Sequence, residues 1–398
     1  MKSKKFDKPI IRLGYAALHS GLREQQVFSN RTARLKTIQD KGTEYAISLA
    51  QKNLNDVLTI LEANEKLGIR FFRLSSNMFP HATNPALMTS TQSKDPRSLA
   101  YDISTLIPVL KSIGNYAKKH GHRLTFHPDP FISLGTRNPD ILLRNHRELW
   151  FHSHLLDIME LDLNSVIIIH GGGLYVTEKL VEKYSKKHIL EDLDTRAHLA
   201  LMTMVPRIDR SENREYRRPA GSQLVSSRCK LKAKTMRRWK KSFNALPDEI
   251  KRRVILENDE FSYSIDDVLT LSSMVEKNSG SADSGYNIPI VFDIFHYSCY
   301  QDTAEKQNIP AQSSITSALK AVELSWRSDR IPKMHVSQQR PNASKGAHSD
   351  YITELPDYIL SYTKIFKRSL DVMIEAKCKE KAVMELYEKY PQLQNNKR

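Results

Sequence analysis

Short β-branched and aromatic runs alternate along this chain with longer stretches whose apolar positions recur every three or four residues. The first run is residues 10–15. A helical pattern follows over 53–67, with Leu58, Leu61 and Leu67 on its apolar face and Gly68 as a C-terminal stop. Further strands are predicted at 71–76, 123–127, 166–170, 254–257, 288–293, 333–336 and 370–375. Helices are predicted between them at 103–119, 149–161, 265–277 and 315–326, with a closing helix at 381–389. Eight apolar strands separated by helices predict an α/β chain folded as a (β/α)8 TIM barrel with right-handed crossovers. A doubly wound open sheet is the alternative. No Gly-rich phosphate loop follows the first run, so no nucleotide cofactor is expected.

One connection is too long. Between His170 and Val254 lie far more residues than a single crossover needs, and the excess is placed at about 176–232 as a basic insertion between strands 4 and 5. The whole of 1–398 is then one barrel domain, with a short polar tail at 391–398. Downstream of Cys229, ten Lys and Arg residues up to Arg253 face only Asp248 and Glu249. A solvated helix face and a phosphate-contacting surface explain that run equally well.

Composition narrows the class. A hydrophobic content of 40% supplies a sizeable core, yet no apolar run approaches the roughly 18 residues of a membrane span, so no membrane partner is expected. The opening residues Met1 to Asp7 lack the apolar core of a signal peptide, and three scattered cysteines make no disulfide framework. The expectation is an intracellular monomer of the cytoplasm, nucleoid or nucleus. Its net charge of +16 favours a polyanionic partner, with nucleic acid the commonest one.

The chemistry lies in where metal-competent side chains fall. His127 ends the third strand, His170 the fourth and Glu257 the fifth. Asp293 and His296 close the sixth, Lys333 and His335 lie on the seventh with His348 in the loop beyond, and Glu375 ends the eighth. Each alone has a structural explanation, as a satisfied polar residue, a cap or an ion pair. Together they describe a ring around the carboxyl-terminal mouth, where barrel active sites are built. Mixed imidazole and carboxylate ligands suit Mn, Zn or Fe better than Ca or Mg, and this many could hold two or three ions, with Glu257 and Glu375 able to bridge. Clustered divalent ions support phosphoester hydrolysis.

Several stretches resemble motifs of the UV-damage endonuclease family: Arg12-Leu13-Gly14-Tyr15, Asn30-Arg31-Thr32, residues 68–76, His127-Pro128, Leu256-Glu257-Asn258-Asp259, Phe292-Asp293-Ile294-Phe295-His296, residues 333–337, residues 346–351 and residues 371–377. The resemblance implies a barrel with a cluster of Mn2+-like ions that incises double-stranded damaged DNA immediately 5′ of UV photoproducts. It implies a metal shell of His127, His170, Glu257, Asp293, His296, His335, His348 and Glu375. Glu257, Glu375 and Lys333 are the catalytic candidates, and Lys333 matches a family lysine that can carry a carboxyl group, a modification that needs a neutral amine. Tyr15, His19, Pro130 and Phe131 fall where the family contacts DNA and probes the lesion. Pro130 stands where the family has glutamine and His19 where asparagine is frequent. Tyr15 and Phe131 keep the aromatic character, although core packing near a strand end is an equal reading of both. Three other functions fit the same residues less fully: an abasic-site or broader-lesion endonuclease, a metal-dependent sugar isomerase or epimerase, and a DNA-binding module without turnover.

Overall fold

The structure, a computed structural model, describes residues 8–173, 223–277, 282–307 and 311–394. Eight parallel strands form the sheet: β1 Ile11–Ala16, β2 Phe71–Arg73, β3 Arg123–Thr125, β4 Ile167–His170, β5 Val254–Glu257, β6 Ile290–Asp293, β7 Lys333–Val336 and β8 Leu370–Ile374. They pair in the order β3-β2-β1-β8-β7-β6-β5-β4. Phe126 closes the ring: its N–H donates to Val166 O and its carbonyl accepts from Ile168 N, each at 2.9 Å. This is the (β/α)8 barrel expected from the alternation.

The strands alternate more than their apolar look suggests. Met334 and Val336 of β7, with Val372 and Ile374 of β8, join the main core that the outer helices cover. The residues between them turn into the barrel. Lys333 Nζ reaches Thr125 Oγ1 at 3.4 Å across the interior, and Asp371 reaches Arg12 and Arg123. A period of two therefore sends hydrocarbon to the helices and chemistry to the axis.

Two helices, Thr43–Leu67 and Pro139–Ile158, start earlier than the sequence pattern indicated, whereas Ile107–His120 and Ile265–Met274 are shorter than expected. Thr43–Leu67 spans 25 residues because Ala46 and Ala50, buried but small, extend the core face N-terminal to the leucines. A helix at Ile294–Gln307, absent from the sequence reading, starts directly after β6. The strands at β2 and β3 stop earlier than expected, since the chain leaves the ladder at their mouth ends to form the site loops.

Most of the expected insertion, 176–222, lies outside the described residues; its remainder is the start of the helix Gln223–Asn244. Part of the basic run is internal wiring. Lys232 Nζ lies 2.5 Å from Asp267 Oδ2, Arg238 Nε donates to Gly135 O at 3.0 Å, and Arg253 donates to Asp157, Leu161, Asp162 and Ser165. These three side chains stabilise the barrel wall, which neither reading of the run anticipated. At the C-terminus, Pro391–Gln394 forms a helical turn that buries Leu393, so the first half of the expected tail is docked; 395–398 lie outside the described residues.

Candidate metal centre

Glu257 is the hub of the barrel mouth. It ends β5 fully buried, and four imidazoles from four other strand ends surround its carboxylate. Oε2 is 3.0 Å from His127 Nε2 and 3.9 Å from His170 Nε2; Oε1 is 2.6 Å from His335 Nδ1 and 3.7 Å from His296 Nδ1. A second carboxylate, Glu375, lies 3.4 Å from His335 Nδ1 and 3.8 Å from His348 Nδ1. The third, Asp293, is fully buried and accepts from His296 N at 2.8 Å and Ser337 Oγ at 3.4 Å. All eight residues expected to form the shell are thus gathered at one end of the barrel.

Two subsets approach closely enough to hold an ion. One ligand atom from each of His127, His170 and Glu257, and likewise from Glu257, Asp293 and His335, lies within 4.8 Å of the others. Glu257 belongs to both. His170 Nδ1 and His335 Nε2 are buried with no hydrogen-bond partner, although such groups ordinarily find one, and Glu257 Oε2 has only the His127 ring 3.0 Å away, outside hydrogen-bonding geometry. Lone pairs so stranded, in a set of imidazole nitrogens and carboxylate oxygens, fit divalent cations.

Burial and neighbouring charge set the protonation of the cluster. Burial pushes His170 down to about 3 and also lowers His127, leaving neutral rings fit to bind metal. His296 goes the other way: burial would lower it, but Asp293, Glu257, Glu260 and Glu375 raise it to about 10. Burial works against the charge on Glu257, but His335 and His170 hold its pKa well below the usual carboxylate range. Lys333, fully buried with its Nζ 5.3 Å from the Phe71 ring centre, is driven far below an ordinary lysine by burial and then by Arg73 and Arg123.

Three contributors escaped the sequence reading. Arg73, at the end of β2, ion-pairs with Glu375. Glu260 brings Oε2 to 3.7 Å from His296 Nε2. Asn258 clamps β5 to β6, donating to Asp293 O and accepting from Asp293 N, each at 2.9 Å, while its carbonyl orients His296 Nδ1 at 3.0 Å. Arg73 and Asn258 had a signal in the quoted motifs; Glu260 had none beyond its proximity to Glu257.

The family model for UV-endonuclease UvdE matches residues 11–201 and 225–398. The chain belongs to the UV-damage endonuclease family. A relative in Acanthamoeba polyphaga mimivirus, named as a UV-damage endonuclease, is 35% identical over 391 residues, which cover 97% of this chain and 93% of the relative. The UV-damage endonuclease of Schizosaccharomyces pombe is 28% identical over 98% of this chain, which spans about half (52%) of that relative's length. The crystal structure of SacUVDE shares the fold at a TM-score of 0.65 and 21% identity, over 96% of this chain and 100% of that one.

The four residues expected from the resemblance to contact DNA do not share one surface. Phe131 is 86% exposed beside an exposed Pro130. Tyr15 is fully buried; its hydroxyl donates to Asn64 Oδ1 at 2.7 Å, and its ring packs edge-on to Phe72. Of its two readings, core packing describes where it lies. His19 is buried too, 3.3 Å from Glu380 Oε1, and that carboxylate also accepts from Ser20 N and Gly21 N. Of the two aromatics expected to probe the lesion, Phe131 lies outside and Tyr15 inside.

Proposed function

We propose that this chain is a divalent-metal-dependent endodeoxyribonuclease that hydrolyses a phosphodiester immediately 5′ of UV photoproducts, both pyrimidine dimers and 6-4 products. The observation that supports it most is the sharing of buried Glu257 between two potential ion subsites, in a chain of the UV-damage endonuclease family. Two or three Mn2+-like ions suit this donor set. When bound, they supply charge stabilisation for the phosphate and an acidified water.

The protein's own residues do the remaining work. His127, His170 and Glu257 would hold one ion, and Glu257, Asp293 and His335 a second; Glu375, His296 and His348 would complete the shell. Arg73 fixes the Glu375 carboxylate from the β2 side. Lys333 enters as a neutral amine, the form required for capture of carbon dioxide as a carbamate, with the released proton passing to solvent. The +16 charge holds the DNA polyanion at the mouth, and weaker binding at high salt is the expected signature. Phe131 stacks on a base loosened by the lesion. We infer a soluble-phase monomer acting within the cell on double-stranded damaged DNA.

Nicking of three defined duplexes tests the proposal: one with a photoproduct, one with an abasic site and one undamaged. Cutting 5′ of the photoproduct with Mn2+, and none of undamaged DNA, is expected. Equal cutting of photoproduct and undamaged duplex, or of neither, ends it. Pro130, exposed and without a hydrogen-bonding side chain, favours a second reading in which abasic sites are also cut.

A further inference from the structure

Two loops at the mouth repeat one arrangement. After β3 the chain reads His127-Pro128-Asp129-Pro130-Phe131, and after β5 it reads Glu257-Asn258-Asp259-Glu260-Phe261. Each sets a residue of the metal cluster, an aspartate and a phenylalanine at positions i, i+2 and i+4. The aspartate acts alike in both. Asp129 Oδ1 accepts from Phe131 N at 2.9 Å, and Asp259 Oδ1 accepts from Phe261 N at 2.9 Å and also from Ser262 N. Such side-chain-to-backbone hydrogen bonds mimic a backbone turn. Phe261 is 50% exposed, and among the described residues it and Phe131 are the two aromatics in the set of exposed large apolar side chains.

A diglycine holds the two loops in register. Gly171 and Gly172 directly follow His170 of β4, between the two loops. A Cβ on Gly171 would come within 2.4 Å of the Tyr263 ring, and one on Gly172, at φ +85°, within 2.4 Å of Ser133 Oγ. Tyr263 O accepts from Asp259 N at 2.9 Å, closing the second loop, while Ser133 lies two residues past Phe131. Both loops therefore pack against one glycine pair, two strand spacings or about 10 Å apart at their bases.

We propose that Phe261 is a second base-stacking residue, acting with Phe131 on bases unstacked at the lesion; this rests on the endonuclease reading above. Every base offers a π-face to an exposed ring, and an apolar wedge at a distorted step needs no hydrogen-bond partner. Two rings on rigid turns let stacking replace the side-chain hydrogen bond that Pro130 cannot make.

The test uses the full chain with a duplex carrying one photoproduct and a 2-aminopurine beside it. Phe261→Ala is expected to weaken binding of this duplex about ten-fold or more and to reduce the 2-aminopurine fluorescence rise on binding, with binding of undamaged duplex changed far less. Phe261→Trp restores both signals, and an unaltered urea midpoint shows that the Ala variant is folded. Wild-type binding and fluorescence in Phe261→Ala overturn the proposal, as does a changed oligomeric state without a DNA effect. If the wild-type protein binds and unstacks the lesion but does not nick it, the endonuclease reading fails while the stacking role stands. If it nicks and Phe261→Ala is indistinguishable from it, the reverse holds.

Discussion

The two ends of the barrel bury carboxylates in opposite ways. At the amino-terminal end, Asp371 is fully buried and both its oxygens are engaged: Oδ1 accepts from Arg12 Nε at 2.6 Å, and Oδ2 accepts from Arg12 Nη2 at 2.7 Å and Arg123 Nη1 at 2.8 Å. At the mouth, Glu257 is equally buried, yet it meets no guanidinium, and the groups nearest its carboxylate are the imidazoles of His335 and His127. Guanidinium groups cannot shed their charge, so the lower carboxylate is tied to its partners. Imidazoles can become neutral by losing a proton, so the upper carboxylate and its rings can turn their lone pairs to a shared metal. One end is finished by folding, and the other is finished by a ligand.

Breaking the lower end has the largest expected effect. Asp371→Ala removes the buried counter-charge of Arg12 and Arg123 and is expected to cost about 3–5 kcal/mol, read from urea unfolding. A loss below about 1 kcal/mol would erase the contrast between the ends. At the mouth, Glu257→Gln is expected to lower the rate of photoproduct nicking by at least about 10²-fold, the upper range seen even for outer-sphere changes at metal sites. Its urea midpoint should stay close to wild type, because the surrounding rings can adjust their protonation. A destabilisation as large as that of Asp371→Ala would make Glu257 a structural residue instead.

Metal sharpens the comparison. Mn2+ at about 100 times its dissociation constant should stabilise the wild type by about 2.7 kcal/mol, reversibly with chelator. Glu257→Gln should gain much less, whereas Arg12→Lys at the other end should keep the full increment above its own baseline. An equal increment in Glu257→Gln would place the ions elsewhere.

The smallest effect concerns pH at the lower end. His122, just before β3, is pushed down to about 4 by burial, although Glu65, 2.9 Å from its Nε2, opposes the shift. The unfolded ring titrates near 6.5, so protons favour the unfolded chain between these values. The stability from His122 is therefore complete above about pH 6.5 and lost as pH falls toward 4. In the neighbouring acid, Glu65, held at about 2 chiefly by Arg70, the loss begins only below about 4.5 and runs in the same direction. His122→Gln should flatten the stability profile between pH 6.5 and 4.5; an unchanged slope there would dismiss the shift.

The order of strands and the set of side chains that gather at the mouth were legible in the sequence. Apolar runs such as 166–170 mark strands whatever their neighbours, and a His, Asp or Glu at successive strand ends must share the mouth once the barrel closes. What lay between the runs was less legible, because the helix Thr43–Leu67 begins on alanines that carry little hydrophobic signal. Residue type and spacing thus determined the architecture and which groups meet at its open end. Only the tertiary structure decided the direction and partner of each group: Tyr15 turned inward to Asn64 and Phe131 outward to solvent, and Lys232, Arg238 and Arg253 were taken up by the barrel wall. Periodicity is local, whereas burial and ion pairing depend on residues distant in the chain, and these are fixed only when the barrel closes.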